Sequence, residues 1–172
     1  MERSTPASRL IAACLIDDEA EARAILSADR ELASRLTETL RIPILRAAET
    51  DSSAAVGLML ELGFPIQEPV GEDGGTLLHV AAYSGAAETV RLLLDRGAAV
   101  TARDLRWESM PLEWGCIGSG EKPDDVPAPN WPAVVRMMID AGSPLDEVSP
   151  SFDQPKPPSP EIAELLRNHG VT

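Results

Sequence analysis

Aromatic residues are scarce in this sequence of 172 residues, of which they make up 3%. A core without them must be built from Leu, Ile, Val and Ala, which suits closely packed helices and disfavours an all-β fold. Cysteine is also rare. Cys14 and Cys116 are the two cysteines, and neither belongs to a CxxC pair. We therefore expect reduced thiols in the core, with no disulfide framework and no zinc cluster.

Positive charge and long apolar runs are lacking too. Fifteen Lys and Arg stand against 28 Asp and Glu, which gives a formal net charge of −13 and disfavours binding to the phosphate backbones of nucleic acids. The apolar run from Leu10 to Ile16 ends at once in the acidic run 17–19. It is too short for a transmembrane helix or a signal peptide, so we expect a cytoplasmic protein with no membrane partner.

What the sequence does contain is a repeat. The segments Ile44–Ile66 and Leu78–Val100 align without a gap at a displacement of 34 in residue number (78 − 44), which we call the repeat length. Paired alanines, an aliphatic run and a closing glycine coincide, the glycines being Gly63 and Gly97. A spacing of this size is typical of stacked helix pairs that share one core.

Weaker copies of the same pattern flank these two segments. Leu10–Leu26 has Ala12 and Ala13 before an acidic turn and a second apolar helix. A later copy spans residues 110–145 and is interrupted between Gly118 and Pro132, a stretch rich in glycine and proline that predicts an inserted loop.

The pattern predicts an all-α solenoid of about four helix-pair repeats plus a C-terminal capping helix, forming a single domain over residues 1–172. Ser159 is the expected N-cap of the last helix, and Gly170 its end. The expected units are 5–37, 38–70, 71–104 and 105–147, the last with the inserted loop 118–132, followed by a Pro-rich segment and the capping helix over 148–172.

The clearest unit, Gly74–Asp104, carries GGTLLHVAAYSGAAETVRLLLDRGAAV and resembles the ankyrin repeat, whose pattern is G-x-T-P-L-H-x-A-A followed by G, V, L-L and G-A-x-V. Leu77 stands where that pattern has proline. The resemblance is strongest over Leu45–Asp146, is weaker over Leu10–Leu26 and is weakest in the Pro-rich tail. The later copy, with its RW and PLEWG segments, is similar to short bacterial ankyrin arrays.

Four residues of this unit are predicted to be structural. Gly85 turns the chain between the two helices, and Gly97 ends the second helix at a position suited to positive φ. The resemblance implies that Thr76 and His79 make side-chain hydrogen bonds that brace the hairpin. His79 is therefore interpreted as structural and not catalytic.

Most of the few aromatic residues fall in the third and fourth units, close to two arginines. One interpretation is that they fill space or anchor the loop, as for Trp131. The other is that they line a recognition surface, because aromatic and arginine anchors supply much of the binding energy there. Under this second interpretation the partner-binding residues are Tyr83, Arg103, Arg106, Trp107, Glu113 and Trp114. The resemblance further implies a concave contact column of Cys14, Glu49, Tyr83 and Ile117, with Thr50 and Ser84 alongside.

Two functions remain open from the sequence. The first is a non-catalytic, monomeric module that binds a partner protein through its concave surface. The alternative is an unusual enzyme or small-ligand protein, with a pocket between the third and fourth repeats under the inserted loop and Glu113 as its acid. No GxGxxG, GxxxxGKS/T or GxSxG pattern occurs, so we expect no cofactor, no metal and no catalytic residue.

Overall fold

The computed structural model describes residues 4–121, 128–148 and 157–171, which fold into ten helices joined by turns. The predicted all-α solenoid is confirmed. In these ranges the only extended pairing is an isolated antiparallel bridge between Val70 and Gly75, at the base of a hairpin. The helices are α1 (Pro6–Leu15), α2 (Glu19–Ala28), α3 (Arg30–Ser34), α4 (Leu36–Glu49), α5 (Ser53–Glu61), α6 (Leu77–Ser84), α7 (Ala87–Asp95), α8 (Pro111–Glu121), α9 (Trp131–Asp140) and α10 (Pro160–Asn168).

The helices stack in pairs. The pairs α1/α2, α4/α5, α6/α7 and α8/α9 each form one unit, and the first helices pack in the order α1, α4, α6, α8. The second helices α5, α7 and α9 form an outer row, and α10 packs against α9. One continuous core of mostly aliphatic side chains runs through the whole stack. No single pair could bury its apolar face alone, so the stacking is what stabilises each unit.

The structure shifts the alignment of the first unit with the other units by one residue from the one read in the sequence. Ala13 and Cys14 are buried, as Ala47 and Ala48 are in the second unit, whereas Ala12 is exposed. Ala13 therefore precedes Ala47 by the same repeat length that separates the second and third units. Cys14 is small enough to take the place of the second alanine. The sequence pair Ala12 and Ala13 therefore indicates an alignment that is one residue out of register.

The turns between paired helices share one backbone conformation. Asp17, Asp51 and Gly85 follow one another at the repeat length and have φ values of 59°, 57° and 70°. Gly85 is the left-handed C-cap of α6, and Gly97 has a φ of 84° after α7. Both glycines thus occupy positions where positive φ is required, and aspartate is among the few other residues that tolerate it.

Asp51 also links two units. Its carboxylate accepts hydrogen bonds from the backbone N–H groups of Thr89 (2.7 Å) and Glu88 (3.3 Å), in the first turn of α7. The N-cap residue of α7 is Ala86, which cannot supply a side-chain acceptor. Asp51 therefore caps a helix of the next unit and fixes the distance between the two repeats.

The boundary expected after residue 37 falls inside α4. Instead of a hairpin, α3 and the first half of α4 connect the first two units. Arg41 in that half donates to a Glu68 carboxylate oxygen at 2.6 Å, which holds the following hairpin against α4. In the described part of the chain, the hairpins lie between α5 and α6 and between α7 and α8, and not between the first two units.

The inserted loop is shorter than the sequence indicates. Helix α8 continues through Gly118 as far as Glu121, and α9 already begins at Trp131 with Asn130 as its N-cap. The predicted bounds 118–132 are thus wrong at both ends: packing of α8 on α6 overrides the low helix propensity of glycine, and Pro132 needs no donor in the first turn. The interior of the predicted loop, 122–127, lies outside the described residues.

The C-terminal helix begins as predicted. The Ser159 side chain accepts from the N–H of Ile162, and Pro160 is the first helical residue. The Ser159 N–H in turn donates to the buried Ser119 hydroxyl at 3.0 Å, which ties α10 to α8. Most of the Pro-rich segment, residues 149–156, lies outside the described residues.

A candidate protein-binding surface

Asp104 organises the hairpin loop that precedes α8. One of its carboxylate oxygens accepts from the N–H groups of Arg106 (2.9 Å) and Trp107 (2.6 Å). The other accepts from the N–H of Ser109 (3.1 Å) and the indole N–H of Trp114 (3.0 Å). Asp104 is only 2% exposed. A single buried carboxylate therefore sets the positions of both tryptophans and of Arg106.

These hydrogen bonds govern the ionisation of Asp104. Burial is the largest single influence and favours the protonated form, but the hydrogen bonds from Trp107, Trp114, Arg106 and Ser109 outweigh it and lower the pKa of the carboxyl. The acid is thus held as a carboxylate in the folded protein.

Three aromatic side chains form a continuous row from the hairpin loop before α8, across α8, to α6: Trp107, Trp114 and Tyr83. We call them the aromatic row. The ring centroids of Trp107 and Trp114 are 6.0 Å apart and those of Trp114 and Tyr83 are 6.2 Å apart, both in edge-to-face geometry. Trp107 is 56% exposed, and the other two are partly exposed. Edge-to-face contacts of this kind hold the rings in fixed orientations.

Arg106 extends this surface. Its guanidinium carbon lies 4.9 Å from the centre of the Trp107 ring, within cation–π distance, and its Nη1 donates to Asp73 at 2.7 Å. Leu105, beside it, is 76% exposed. The tip of this hairpin therefore presents apolar, aromatic and cationic groups side by side.

Tyr83 closes the other end of the row. Its hydroxyl donates to Glu121 at 2.5 Å, and burial, aided by this carboxylate, raises its pKa to about 12. Its backbone carbonyl accepts from the indole N–H of Trp131 at 3.0 Å. Trp131 thus packs over the α6–α7 turn instead of joining the row, which agrees with its interpretation as an anchor of the returning chain.

Arg103 and Glu113, also predicted to bind the partner, have partners inside the protein. Arg103 donates to the Glu108 carbonyl at 2.6 Å and forms an ion pair with Glu147. The Glu113 carboxylate accepts from the N–H of Met110 at 2.8 Å, at the start of α8. The structure therefore brings together four of the six predicted residues and places these two beside them in supporting contacts.

His79 is fully buried and bridges two units. Its Nδ1 accepts from the Thr76 N–H at 3.0 Å and lies 2.9 Å from the Thr76 hydroxyl, while its Nε2 faces the Ser109 carbonyl at 3.0 Å. A carbonyl can only accept, so Nε2 carries the proton. Burial lowers the pKa of the imidazole and keeps it neutral. These contacts favour the structural interpretation of Thr76 and His79.

Replacing His79 with alanine should lower the free energy of unfolding by about 1 to 3 kcal/mol, because the Thr76 N–H and the Ser109 carbonyl lose their partner. Denaturant unfolding would measure this. His169→Ala, at an exposed histidine after α10, is the matched control and should change stability little. Equal stability of the two variants would contradict the structural role of His79.

The concave contact column predicted from the sequence differs from the structure at Cys14 and Ser84. Cys14 is buried and cannot contact a partner, and Leu15 is exposed in its place, one repeat length before Glu49. Ser84 is buried as well, whereas Ile117 is 40% exposed. The expectation for Cys14 and Ser84 is therefore wrong, and its cause at Cys14 is the register shift of one residue.

Sequence reasoning missed Asp104 and Leu105. The segment DLRWES contains a signal for Asp104, because an aspartate that begins a short polar loop commonly accepts hydrogen bonds from N–H groups two and three residues later. The exposure of Leu105 has no such signal.

The described residues contain no group of His, Cys, Asp and Glu arranged to hold a metal ion. Both cysteines are free and buried, and burial raises the pKa of the Cys14 thiol to about 11 and that of Cys116 to about 12. Thiols with such high pKa values are poor nucleophiles at neutral pH.

The repeats can be compared with known families. A family model described as ankyrin repeats in three copies matches residues 10–104, more than half of the chain. The chain therefore belongs to the ankyrin-repeat family, whose repeats generally serve as protein–protein interaction modules. No curated protein matches the sequence. Every helix in the described ranges is too short or too polar to span a bilayer.

Proposed function

We propose that the chain binds a partner protein through the concave surface of its third and fourth units, with the aromatic row and Arg106 at the centre. The observation that carries this proposal is the ordered exposure of Trp107: more than half of the side chain is accessible, yet its backbone is fixed by Asp104. Ordering an aromatic anchor before binding reduces the entropy lost on association.

The chemistry of this surface suits a protein partner. Tryptophan, tyrosine and arginine are the residues most enriched among those that dominate binding energies at interfaces. The Arg106 guanidinium lies over Trp107 and pairs with Asp73. It therefore keeps an orientation from which its remaining N–H groups can meet carbonyl or carboxylate acceptors of the partner.

The contacts of Glu113 do not favour the alternative of an enzyme or a small-ligand protein. That alternative needs a carboxyl group directed into a pocket, and this one accepts from the Met110 N–H at the start of its own helix. The segment 122–127, which would cover such a pocket, lies outside the described residues.

Replacing Trp107 with alanine should weaken partner binding by about 2 kcal/mol, or about thirtyfold in Kd, because the anchor is lost. The partner would be captured from the native host with wild-type bait, and its Kd then measured by titration calorimetry. The matched control is Ile42→Ala, which truncates a side chain that is 69% exposed on α4. Unchanged binding to a folded Trp107→Ala variant would overturn the proposal.

A further inference from the structure

A second concavity lies on the outer row of helices, away from the aromatic row. It is a groove of about 520 Å³ between α5 and α7, with the turn before α2 at one end. Its floor is formed by Ala54, Gly57 and Leu58 of α5 and by Leu92 of α7. The floor is thus apolar, and two of these four residues, Ala54 and Gly57, are small.

One residue of this groove distinguishes the second unit from the others. Position 57 holds glycine, whereas the equivalent positions of the first and third units, one repeat length away on either side, hold Arg23 and Arg91. The equivalent residue of the fourth unit is Arg136, because it follows Arg91 by the same number of residues as Gly142 follows Gly97. These three arginines are exposed. The second unit alone lacks a long side chain here.

Gly57 is not required by the packing of the protein itself. It lies within α5, and a Cβ atom added to it would meet only the Leu92 side chain, at an ordinary contact distance of 3.6 Å. Helix-interior glycine is unfavourable relative to alanine. Gly57 is itself buried beside Leu92, and the fold would accept a larger residue there in contact with that side chain.

The rim of the groove is acidic. Five carboxylates and two arginines line it: Asp17, Glu19, Glu61, Glu88 and Asp95 with Arg91 and Arg96. Both arginines are already paired, Arg91 with Glu88 at 2.6 Å and Arg96 with Glu61 at 2.7 Å. Among the described residues, Asp17 and Asp95 have no cationic partner. The groove therefore offers negative charge to whatever occupies it.

We infer that this groove binds a basic amphipathic helix of another protein. The small residues of the floor permit close approach of a helix, and lysine or arginine side chains at its edges would reach Asp17 and Asp95. A second copy of this chain is a poor occupant, because each copy has a net charge of −13. This surface is separate from the concave one, so the two proposals can fail independently.

The probe is a fluorescent synthetic helix with Ala and Leu on one face and Arg on the other, compared with the same helix carrying Glu in place of Arg. Fluorescence anisotropy at several salt concentrations would give the Kd values. Gly57→Leu fills the groove without a change of charge and should raise the Kd of the basic helix about tenfold or more. Trp107→Ala should leave it unchanged.

A matched pair of substitutions separates the groove from the general acidity of the protein. Asp95→Asn removes a rim carboxylate, and Asp140→Asn removes the equivalent carboxylate of the fourth unit. Asp140 is equivalent because it follows Asp95 by the same number of residues as Arg136 follows Arg91. Only Asp95→Asn should weaken binding. Equal Kd values for wild type and a folded Gly57→Leu variant, equal effects of the two Asn substitutions, or equal binding of the acidic helix would overturn the inference. The inference would also be overturned if sedimentation experiments showed that the protein self-associates and that Gly57→Leu abolishes this self-association.

Discussion

Replacing Gly118 with alanine should lower the free energy of unfolding by about 3 kcal/mol or more, as the collision is with backbone atoms. A Cβ atom built on Gly118 lies 1.8 Å from the Tyr83 carbonyl oxygen and 2.7 Å from its carbonyl carbon. Side-chain rotation cannot relieve this contact, so α6 and α8 would have to separate. Because these two helices join the third and fourth units, the aromatic row would be displaced as well.

Gly115→Ala, one turn earlier in the same helix, is the matched control. Its Cβ would lie 3.6 Å from the Ala82 carbonyl oxygen, an ordinary contact. Loss of glycine flexibility within the helix should then leave stability unchanged or raise it by about 0.5 to 1 kcal/mol. Urea unfolding of both variants gives the comparison. Similar stabilities of the Gly118 and Gly115 variants would show that the close approach of α6 and α8 does not exist.

Replacing Asp104 with alanine should cost about 3 to 4 kcal/mol of stability, because four donors lose a charged acceptor in one step. These donors are the N–H groups of Arg106, Trp107 and Ser109 and the indole of Trp114. The hairpin loop before α8 should become disordered when these hydrogen bonds are lost. Denaturant unfolding and the fluorescence of the tryptophans would measure the two effects.

Asp73→Ala serves as the control for Asp104. Asp73 forms an ion pair with Arg106 whose two side chains are 31% and 62% exposed, so solvent screens the interaction. Its loss should cost at most about 1 kcal/mol. Equal costs for the two aspartates would contradict the organising role of Asp104.

The stability contributed by Asp104 should depend on pH. Its pKa is lower in the folded protein than in the unfolded chain, so the unfolded state binds the proton more readily. The contribution is therefore fully present above the unfolded pKa of about 4 and is lost as the pH falls through the lower folded value. The stability difference between wild type and Asp104→Ala should stay constant from neutrality down to the unfolded pKa of about 4 and should narrow as the pH falls below it. A difference independent of pH would contradict this.

The sequence by itself determined the repeat and therefore the fold. The constant displacement that relates Gly63 to Gly97 can be read without coordinates. Because each repeat folds by local contacts and packs on its neighbours, finding the period is nearly equivalent to finding the architecture. The last helix followed from Ser159 and Pro160 for a similar reason, since capping depends on adjacent residues.

Tertiary structure decided the positions that depend on contacts between units. Gly118 and its neighbours have the composition of a loop, yet they are helical because α8 packs directly on the backbone of α6. Asp51 stabilises the start of α7, a helix that belongs to the next unit and begins at Ala87. Local propensity carries no information about such partners, as they become neighbours only when the repeats stack.

The candidate site shows the same division. Composition drew attention to Tyr83, Trp107 and Trp114, since so few aromatic residues occur elsewhere. Which face each ring presents, and that Arg106 lies over Trp107, depends on hydrogen bonds that converge on Asp104. Side-chain type is a property of the sequence, whereas burial, orientation and pairing are properties of the packed molecule.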